Sequence, residues 1–593
     1  MSDPQSEWAE VLLASLAEAG LVDVIISPGS RSTPLVWAAC QIPGFRRHAL
    51  IDERSAAFFA LGQARVSGIP SLLICTSGTA PSHYYPAVIE AKQSGVPLIV
   101  LSADRPFELQ ECGAPQTVDQ ARLFGNYATY YELGTPVADA GAVLGLRRMA
   151  RQAFATAIEA PRGAVHLNFR AKKPLEPALG ERQRAPASRP SQGVRVPGPV
   201  PRAIDPSDIS ELVRGLTEST CPLLICGALS LQDSPPAELV QRFAQASGSI
   251  VCPESVSQLR FQLDAVQGDA VVCDAYEWLL SSAPFARALA PDFALQLGAA
   301  PLSAALGRLL GDSQALNFSI CAETGWPDPL HKAARIVRGR PNELLEALCR
   351  ALEGRPRPVT AARRLWQRAG GWARQLVNEQ LELGFGEPEA VSGVAASLPP
   401  GSLLVLGNSL PPRLVDRYCP AAARGIRVVS QRGASGIDGL VAGALGSASQ
   451  TLTPTTLLLG DISFLHDVGS LWAARAERVQ TERPRQPLVV VVINNGGGRI
   501  FEQLPIAERS DVEHELWTTP HAVELRGAAQ LYGLAFRQAR DRAELQAALA
   551  QAYGRAEVSL IEVVVEPHSA AVRSKQLASV IERRAGEVLA ELP

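Results

Sequence analysis

With 593 residues, 47% of them hydrophobic and 19% charged, the chain is too long for one hydrophobic core and too apolar for disorder, so three units of ordinary domain size are expected. A net charge of -3 removes any general electrostatic pull towards nucleic acid or an anionic membrane, while leaving room for a locally basic pocket that takes a small anionic substrate. The segment Met1–Glu10 is acidic and polar, unlike a secretory signal, and no apolar run is long enough to span a bilayer, so a cytoplasmic protein without a membrane span is expected.

Strand-like runs ending in Gly, Pro or Ser alternate with amphipathic stretches along the whole chain. VDVIISPGS, SLLICTSGTA, PLIVLSADRP and GAVHLNF come first, then CPLLICGAL, SIVCPES and FALQLGAAP. SLLVLGNSL, IRVVSQRGASG, TTLLLGDISF, PLVVVVINNGGG and SLIEVVVEP follow in the last third. This alternation predicts an α/β protein of three doubly wound parallel-sheet domains, at 1–182, 205–355 and 372–593. Periodicity lapses between them, in a Pro/Arg-rich stretch from Arg182 to Pro206 and a basic one from Arg355 to Ala362. The ten cysteines are scattered without a CxxC pair, several of them in apolar runs, which predicts buried free thiols, with disulfides as the alternative.

In an open parallel sheet, ligands gather at the carboxyl ends of the strands, and the most distinctive motifs lie at such ends. In chain order, SPGSRSTP carries Ser30 and Arg31, IDERSAAFF carries Glu53 and SADRPFEL carries Arg105. GNSLPPR then carries Asn408, Ser409 and Arg413, and SQRGASGIDG carries Arg432 and Ile437. A lone arginine is usually solvated charge; four beside Gly and Ser in ligand-side loops are better explained as forks for carboxylates. GDISFLHD at Gly460–Asp467 is followed, one strand later, by NNGGGRIF at Asn494–Phe501. Each alone is an ordinary turn. Together they offer the oxygen ligands a hard octahedral Mg2+ requires: the Asp461 carboxylate, an amide oxygen from Asn495 with Asn494 as the alternative, and the Gly497 carbonyl. His83 and His466 are read as packing or supporting residues. No GxGxxG follows the first strand and no P-loop is present, which argues against a nicotinamide dehydrogenase.

The GD and NN segments resemble the thiamine-diphosphate motif of the pyruvate decarboxylase and acetohydroxyacid synthase superfamily. The forms GDISFLHD and NNGGGRIF, with DERSAAFFALGQARVSG around Glu53, resemble the branch that joins 2-oxoglutarate to isochorismate. The resemblance implies a pyrimidine-binding first domain, a central Rossmann-like domain and a diphosphate-binding last domain. It implies thiamine diphosphate with Mg2+, or Mn2+ in its place, as cofactors. Glu53 becomes the carboxyl that activates the aminopyrimidine, Ile437 the residue that props the bent cofactor, and Asn408, Ser409, Gly460, Asp461, Ser463, Asn495 and Gly497 further cofactor residues. Ser30, Arg31, Arg105, Gln116, Ser409, Arg413, Arg432, Ile500 and Phe501 are implied for the substrates.

The implied reaction is that of a transferase: 2-oxoglutarate loses CO2 and the succinyl carbanion equivalent adds 1,4 to isochorismate, in menaquinone or phylloquinone formation. A homodimer is the least functional unit implied, and a tetramer is compatible. The chain departs from the pattern at Pro115, where some relatives have Asn, and at Ala304, where relatives often have a pocket Lys. It departs again at Gly469 and Ser470, and in an apparent insertion from Ala476 to Gln486. The alternatives are another thiamine-dependent 2-oxoacid decarboxylase or an acetohydroxyacid synthase and, of a different class, a non-catalytic cofactor-binding protein.

Overall fold

The computed structural model describes residues 3–177, 202–264, 270–322, 325–355, 359–476 and 486–591. Most of the Arg182–Pro206 stretch, part of Arg355–Ala362 and nearly all of the apparent insertion at 476–486 lie outside the described residues. The described residues form three six-stranded sheets in which every pairing is parallel. The chain thus has the predicted α/β class with three parallel sheets.

The first sheet contains β1 (Asp23–Ile26), β2 (Arg46–Ala49), β3 (Ser71–Cys75), β4 (Leu98–Asp104), β5 (Ala128–Glu132) and β6 (Ala164–Arg170), in the order β2-β1-β3-β4-β6-β5. The second contains β7 (Pro222–Cys226), β8 (Ile250–Pro253), β9 (Val271–Val272), β10 (Phe293–Leu297), β11 (Leu316–Cys321) and β12 (Ala333–Arg338), in the order β12-β11-β10-β7-β8-β9. Read from its other edge, this is the order of a doubly wound dinucleotide-type sheet. The third contains β13 (Leu403–Leu406), β14 (Arg427–Ser430), β15 (Thr455–Gly460), β16 (Leu488–Asn494), β17 (Ala535–Ala539) and β18 (Val558–Val564), in the order β14-β13-β15-β16-β18-β17. Its connectivity repeats that of the first sheet, a structural repeat that the residue patterns do not display.

Strand sequences explain the layering. β4 and β6 are buried at every position, and β16 is the unbroken apolar run Leu488–Ile493 closed by Asn494. Such runs suit central strands covered by helices on both faces, whereas alternation would mark a sheet with one wet face. The helices supply the covering faces: Pro4–Ala19 buries Trp8, Leu12 and Leu16 against the first sheet, and Ala361–Leu381, which begins inside the stretch read as a linker, buries Trp366, Ala369, Ala373 and Val377. All ten cysteines are free; six are buried, as the apolar runs predict, whereas Cys40 and Cys112 are exposed at positions outside strands. No described helix is long and apolar enough to cross a membrane.

By contact density the chain divides into two units. One comprises Met1–Val200 with Gln431–Leu452 and His466–Arg485; the other comprises Pro201–Ser430, Thr453–Leu465 and Gln486–Pro593. The first sheet belongs to the former, and the second and third sheets belong to the latter.

Candidate active site

In the first unit, the expected residues sit at the carboxyl ends of strands of one sheet. Ser30 and Arg31 follow β1, Glu53 follows β2, and Arg105 follows β4. Glu53 opens the helix Glu53–Ser67, whose N-cap Asp52 accepts the Arg54 and Ser55 N–H groups at 2.8 and 3.3 Å. The cap satisfies the free N–H groups and leaves the half-buried Glu53 side chain available for another partner. Cys75 and Tyr84 are fully buried within electrostatic reach of Glu53; burial pushes both far up, and the carboxylate adds to the effect.

Arg31, Arg105 and Gln116 come together. Arg31 is buried and donates from Nη1 to the Ala171 carbonyl at 2.8 Å. Burial holds its guanidinium below the ordinary arginine value, and the charge of Arg105 lowers it further against the opposing pull of Asp104. Arg105 donates to Ser77 Oγ and, at 3.3 Å, to Gln116 Oε1, while Gln116 Nε2 donates to the Ser77 carbonyl at 3.1 Å. A buried guanidinium depressed by the charge of a second one suits an anionic ligand. Beneath them runs a polar network absent from the sequence reading. Asp104 accepts the Arg105 N–H at 2.7 Å and pairs with Arg170 at 2.9 Å, and Asn168 donates to it at 2.9 Å. Ser102 joins Asn168 to His166, whose ring burial lowers to a pKa of about 3.

The loop bearing Arg432 and Ile437 belongs to this unit as well. Buried Glu90 fastens it by accepting the Gly433 N–H at 2.9 Å and the Ala434 N–H at 2.5 Å, and pairs with Arg65. The following helix, Leu440–Ala448, is capped by Asp467 Oδ2, which accepts the Val441 and Ala442 N–H groups at 2.8 and 3.0 Å. The last residue of GDISFLHD is therefore a helix cap. His466 lies beside Arg54, with Nδ1 at 3.5 Å, and His83 is exposed in a short 3-10 turn.

In the second unit, β13, β15 and β16 lie side by side and lead into Asn408–Ser409, Gly460–Asp461 and Asn494–Asn495 respectively. Ser409 opens the helix Leu410–Tyr418 with φ 72° and ψ -125°, a strained geometry for a residue with a Cβ, and its carbonyl accepts from Arg413 Nη1 at 2.6 Å. Asn408 and Ser463 are buried, whereas Ile500 and Phe501 are partly buried in the short helix Arg499–Gln503. Ala304 opens a helix behind the cap Ser303.

Asp461 is buried. Its Oδ1 accepts the Ile462 N–H at 2.7 Å, its Oδ2 accepts the Gly497 N–H at 2.9 Å, and His521 Nε2 lies 3.2 Å from Oδ2. Burial raises its pKa, and the backbone donors oppose the shift. The two asparagines differ sharply. Asn494 is used at both ends: Nδ2 donates to Glu562 at 2.7 Å and Oδ1 accepts the Gly496 N–H at 3.1 Å. Asn495 donates from Nδ2 to Glu387 at 2.9 Å, while its buried Oδ1 has no hydrogen-bond partner. Burial pushes Glu387 up to about 7; the Asn495 amide opposes that shift and the charge of Asp461 adds to it. Glu387 and His521 were not picked out from the sequence, because neither lies in the GD or NN segment.

A buried acceptor with no donor, an acid raised by burial and a close glycine backbone fit a divalent cation held through oxygen. The Gly497 carbonyl accepts the Arg499 N–H at 2.9 Å, which leaves its second lone pair for a metal. Among the described residues no cluster of three or more His, Cys, Asp or Glu side chains could hold a metal by itself.

Residues 6–123 match the family model described as thiamine pyrophosphate enzyme, N-terminal TPP binding domain. Over 601 aligned positions, 98% of this chain and 96% of the relative, the sequence is 42% identical to a 2-succinyl-5-enolpyruvyl-6-hydroxy-3-cyclohexene-1-carboxylate synthase from Sorangium cellulosum. Proteins of the same name from Myxococcus xanthus and Geobacillus kaustophilus are 38% and 36% identical, over 94% and 95% of both chains respectively.

Proposed function

Because the chain belongs to the 2-succinyl-5-enolpyruvyl-6-hydroxy-3-cyclohexene-1-carboxylate synthase family of thiamine-diphosphate enzymes, we propose the following division of labour among its residues. The enzyme is a transferase of menaquinone biosynthesis that converts 2-oxoglutarate and isochorismate into the compound of that name and CO2. Bound thiamine diphosphate supplies the electron sink for decarboxylation and the nucleophilic carbon for transfer.

Asp461, Asn495 and the Gly497 carbonyl hold Mg2+, or Mn2+ in its place, against the diphosphate. Gly460, Ser463, Asn408 and Ser409 line the same strand ends, and Ile437 supports the cofactor rings. Glu53 hydrogen-bonds the aminopyrimidine and moves the proton that activates it. Arg31, Arg105 and Gln116, with Ser30, Arg413 and Arg432, bind and orient the substrate carboxylates, and Ile500 and Phe501 exclude water. The domains are 1–182 for the pyrimidine, 205–355 in the centre and 372–593 for the diphosphate. The working assembly is a homodimer or a tetramer built from it, in the cytoplasm.

The observation that carries the cofactor reading is the unpartnered Asn495 Oδ1, at the end of the strand next to the one that ends at Asp461. CO2 release measured with thiamine diphosphate and Mg2+, 2-oxoglutarate against pyruvate, tests the substrate class. Faster release from 2-oxoglutarate is expected. Faster release from pyruvate would move the chain to the monoacid decarboxylases or acetohydroxyacid synthases.

A further inference from the structure

We propose that Glu387 is the positioning residue that turns the oxygen of the Asn495 amide, rather than its nitrogen, towards the divalent metal; the inference rests on the metal-diphosphate reading above. A primary amide has nearly the same shape in its two flipped orientations, but only the oxygen ligates a hard cation. Something beside the amide must therefore distinguish the two ends. Glu387 Oε1 sits 2.9 Å from Asn495 Nδ2 in a buried contact. In that contact the Glu387 oxygen is the acceptor, so it takes the NH2 end of the amide and leaves the oxygen end facing away. The result is visible at the other end of the group, where Asn495 Oδ1 is buried without a partner.

The neighbouring Asn494 is the internal comparison. Buried Glu562 also holds its NH2, but the Gly496 N–H already occupies its oxygen, so the same pairing there leaves nothing to offer a metal. Glu387 is itself fixed. It is the first residue of the helix Glu387–Ser397, its N–H donates to Ser569 Oγ at 3.1 Å, and the helix is anchored by buried Val391 and Val394. The Asn495 backbone is held as well, with Arg499 Nε donating to its carbonyl at 3.2 Å. Glu387 touches neither substrate nor metal in this account and acts only through Asn495.

The test is Mn2+ binding followed by electron paramagnetic resonance on the purified full-length protein with thiamine diphosphate, which does not depend on turnover. Glu387→Ala should weaken Mn2+ binding about 10- to 100-fold, the usual cost of losing a partner that orients a ligand, and Glu387→Gln, which keeps one acceptor oxygen, should fall between it and the wild type. In an Asn495→Ala background, Glu387→Ala should add less than about 3-fold, because the residue through which it acts is gone.

Wild-type affinity in Glu387→Ala would overturn the inference. So would an equal loss with and without Asn495, which would mark a general structural role. If Glu387→Ala does not fold, the same cycle run with Glu387→Gln decides by the same criterion. Wild-type protein that takes up no Mn2+ with thiamine diphosphate present would overturn the cofactor reading itself, and this inference with it.

Discussion

The backbone N–H of Gly497 donates to Asp461 Oδ2 at 2.9 Å, tying the turn after β16 to the end of β15. Gly497 has φ 146°, and a Cβ there would lie 2.5 Å from the Thr518 carbonyl oxygen. Gly497→Ala must displace that carbonyl or the turn, and so shift both a proposed metal ligand and the donor that steadies Asp461. At least a ~10-fold rise in the Mg2+ concentration giving half-maximal activity is expected, with a native circular dichroism spectrum. An unchanged Mg2+ midpoint would remove Gly497 from the metal site.

Burial raises the Asp461 carboxyl, so its charged form burdens the fold until a cation arrives. Asp461→Asn should therefore melt, without ligands, at or above the wild-type temperature. It should also lose the increase in melting temperature that Mg2+ with thiamine diphosphate gives the wild type. A retained ligand-induced increase would count against the assignment.

Glu53 stands behind a satisfied N-cap, so its carboxyl is not needed to start its helix. Glu53→Gln should fold normally and bind thiamine diphosphate. Turnover should fall on the order of 100-fold or more, as expected for removal of an acid–base group. Normal turnover would take Glu53 out of the mechanism.

Helix Glu53–Ser67 and helix Leu440–Ala448 touch backbone to backbone. A Cβ on Gly62 would lie 2.0 Å from the Gly443 carbonyl oxygen, with no flexible side chain to yield. Gly62→Val should destabilise the protein by at least about 2 kcal/mol through overpacking, read as a lower denaturant midpoint. A midpoint within error of the wild type would show that the helices separate freely.

His166 is buried, and burial lowers its pKa to about 3 from an ordinary 6.5. The unfolded chain then takes up a proton as pH falls below 6.5, and the folded chain resists until about 3. This stability is fully present above pH 6.5 and lost progressively down to about pH 3, amounting to roughly 5 kcal/mol. Urea midpoints measured between pH 7 and pH 4 should fall less steeply in His166→Asn than in the wild type. Parallel slopes would show that His166 does not contribute to the acid sensitivity.

The three parallel sheets were legible because their strands are continuous apolar runs closed by Gly, Ser or Asp, a pattern that few other structures produce. GD and NN were legible because ligand-side turns draw on few residue types. Glu387 was not, since it meets Asn495 across 108 positions and reads locally as an acid at a helix start. Asp467 sits inside a recognisable motif, yet caps a helix that begins 27 residues earlier, at Leu440. Glu90 lies on the helix Tyr85–Ser94, far along the chain from the Gly433–Ala434 backbone that it holds. In each case the partner is set by tertiary placement, which local pattern does not encode.

The most direct test of the central claim is mass spectrometry of the products formed by the purified protein from 2-oxoglutarate and isochorismate with thiamine diphosphate and Mg2+, each omitted in turn. The account predicts 2-succinyl-5-enolpyruvyl-6-hydroxy-3-cyclohexene-1-carboxylate only when all four are present, together with one CO2 per adduct. CO2 from 2-oxoglutarate without the adduct would contradict the assigned acceptor, and an adduct formed without thiamine diphosphate would contradict the account as a whole.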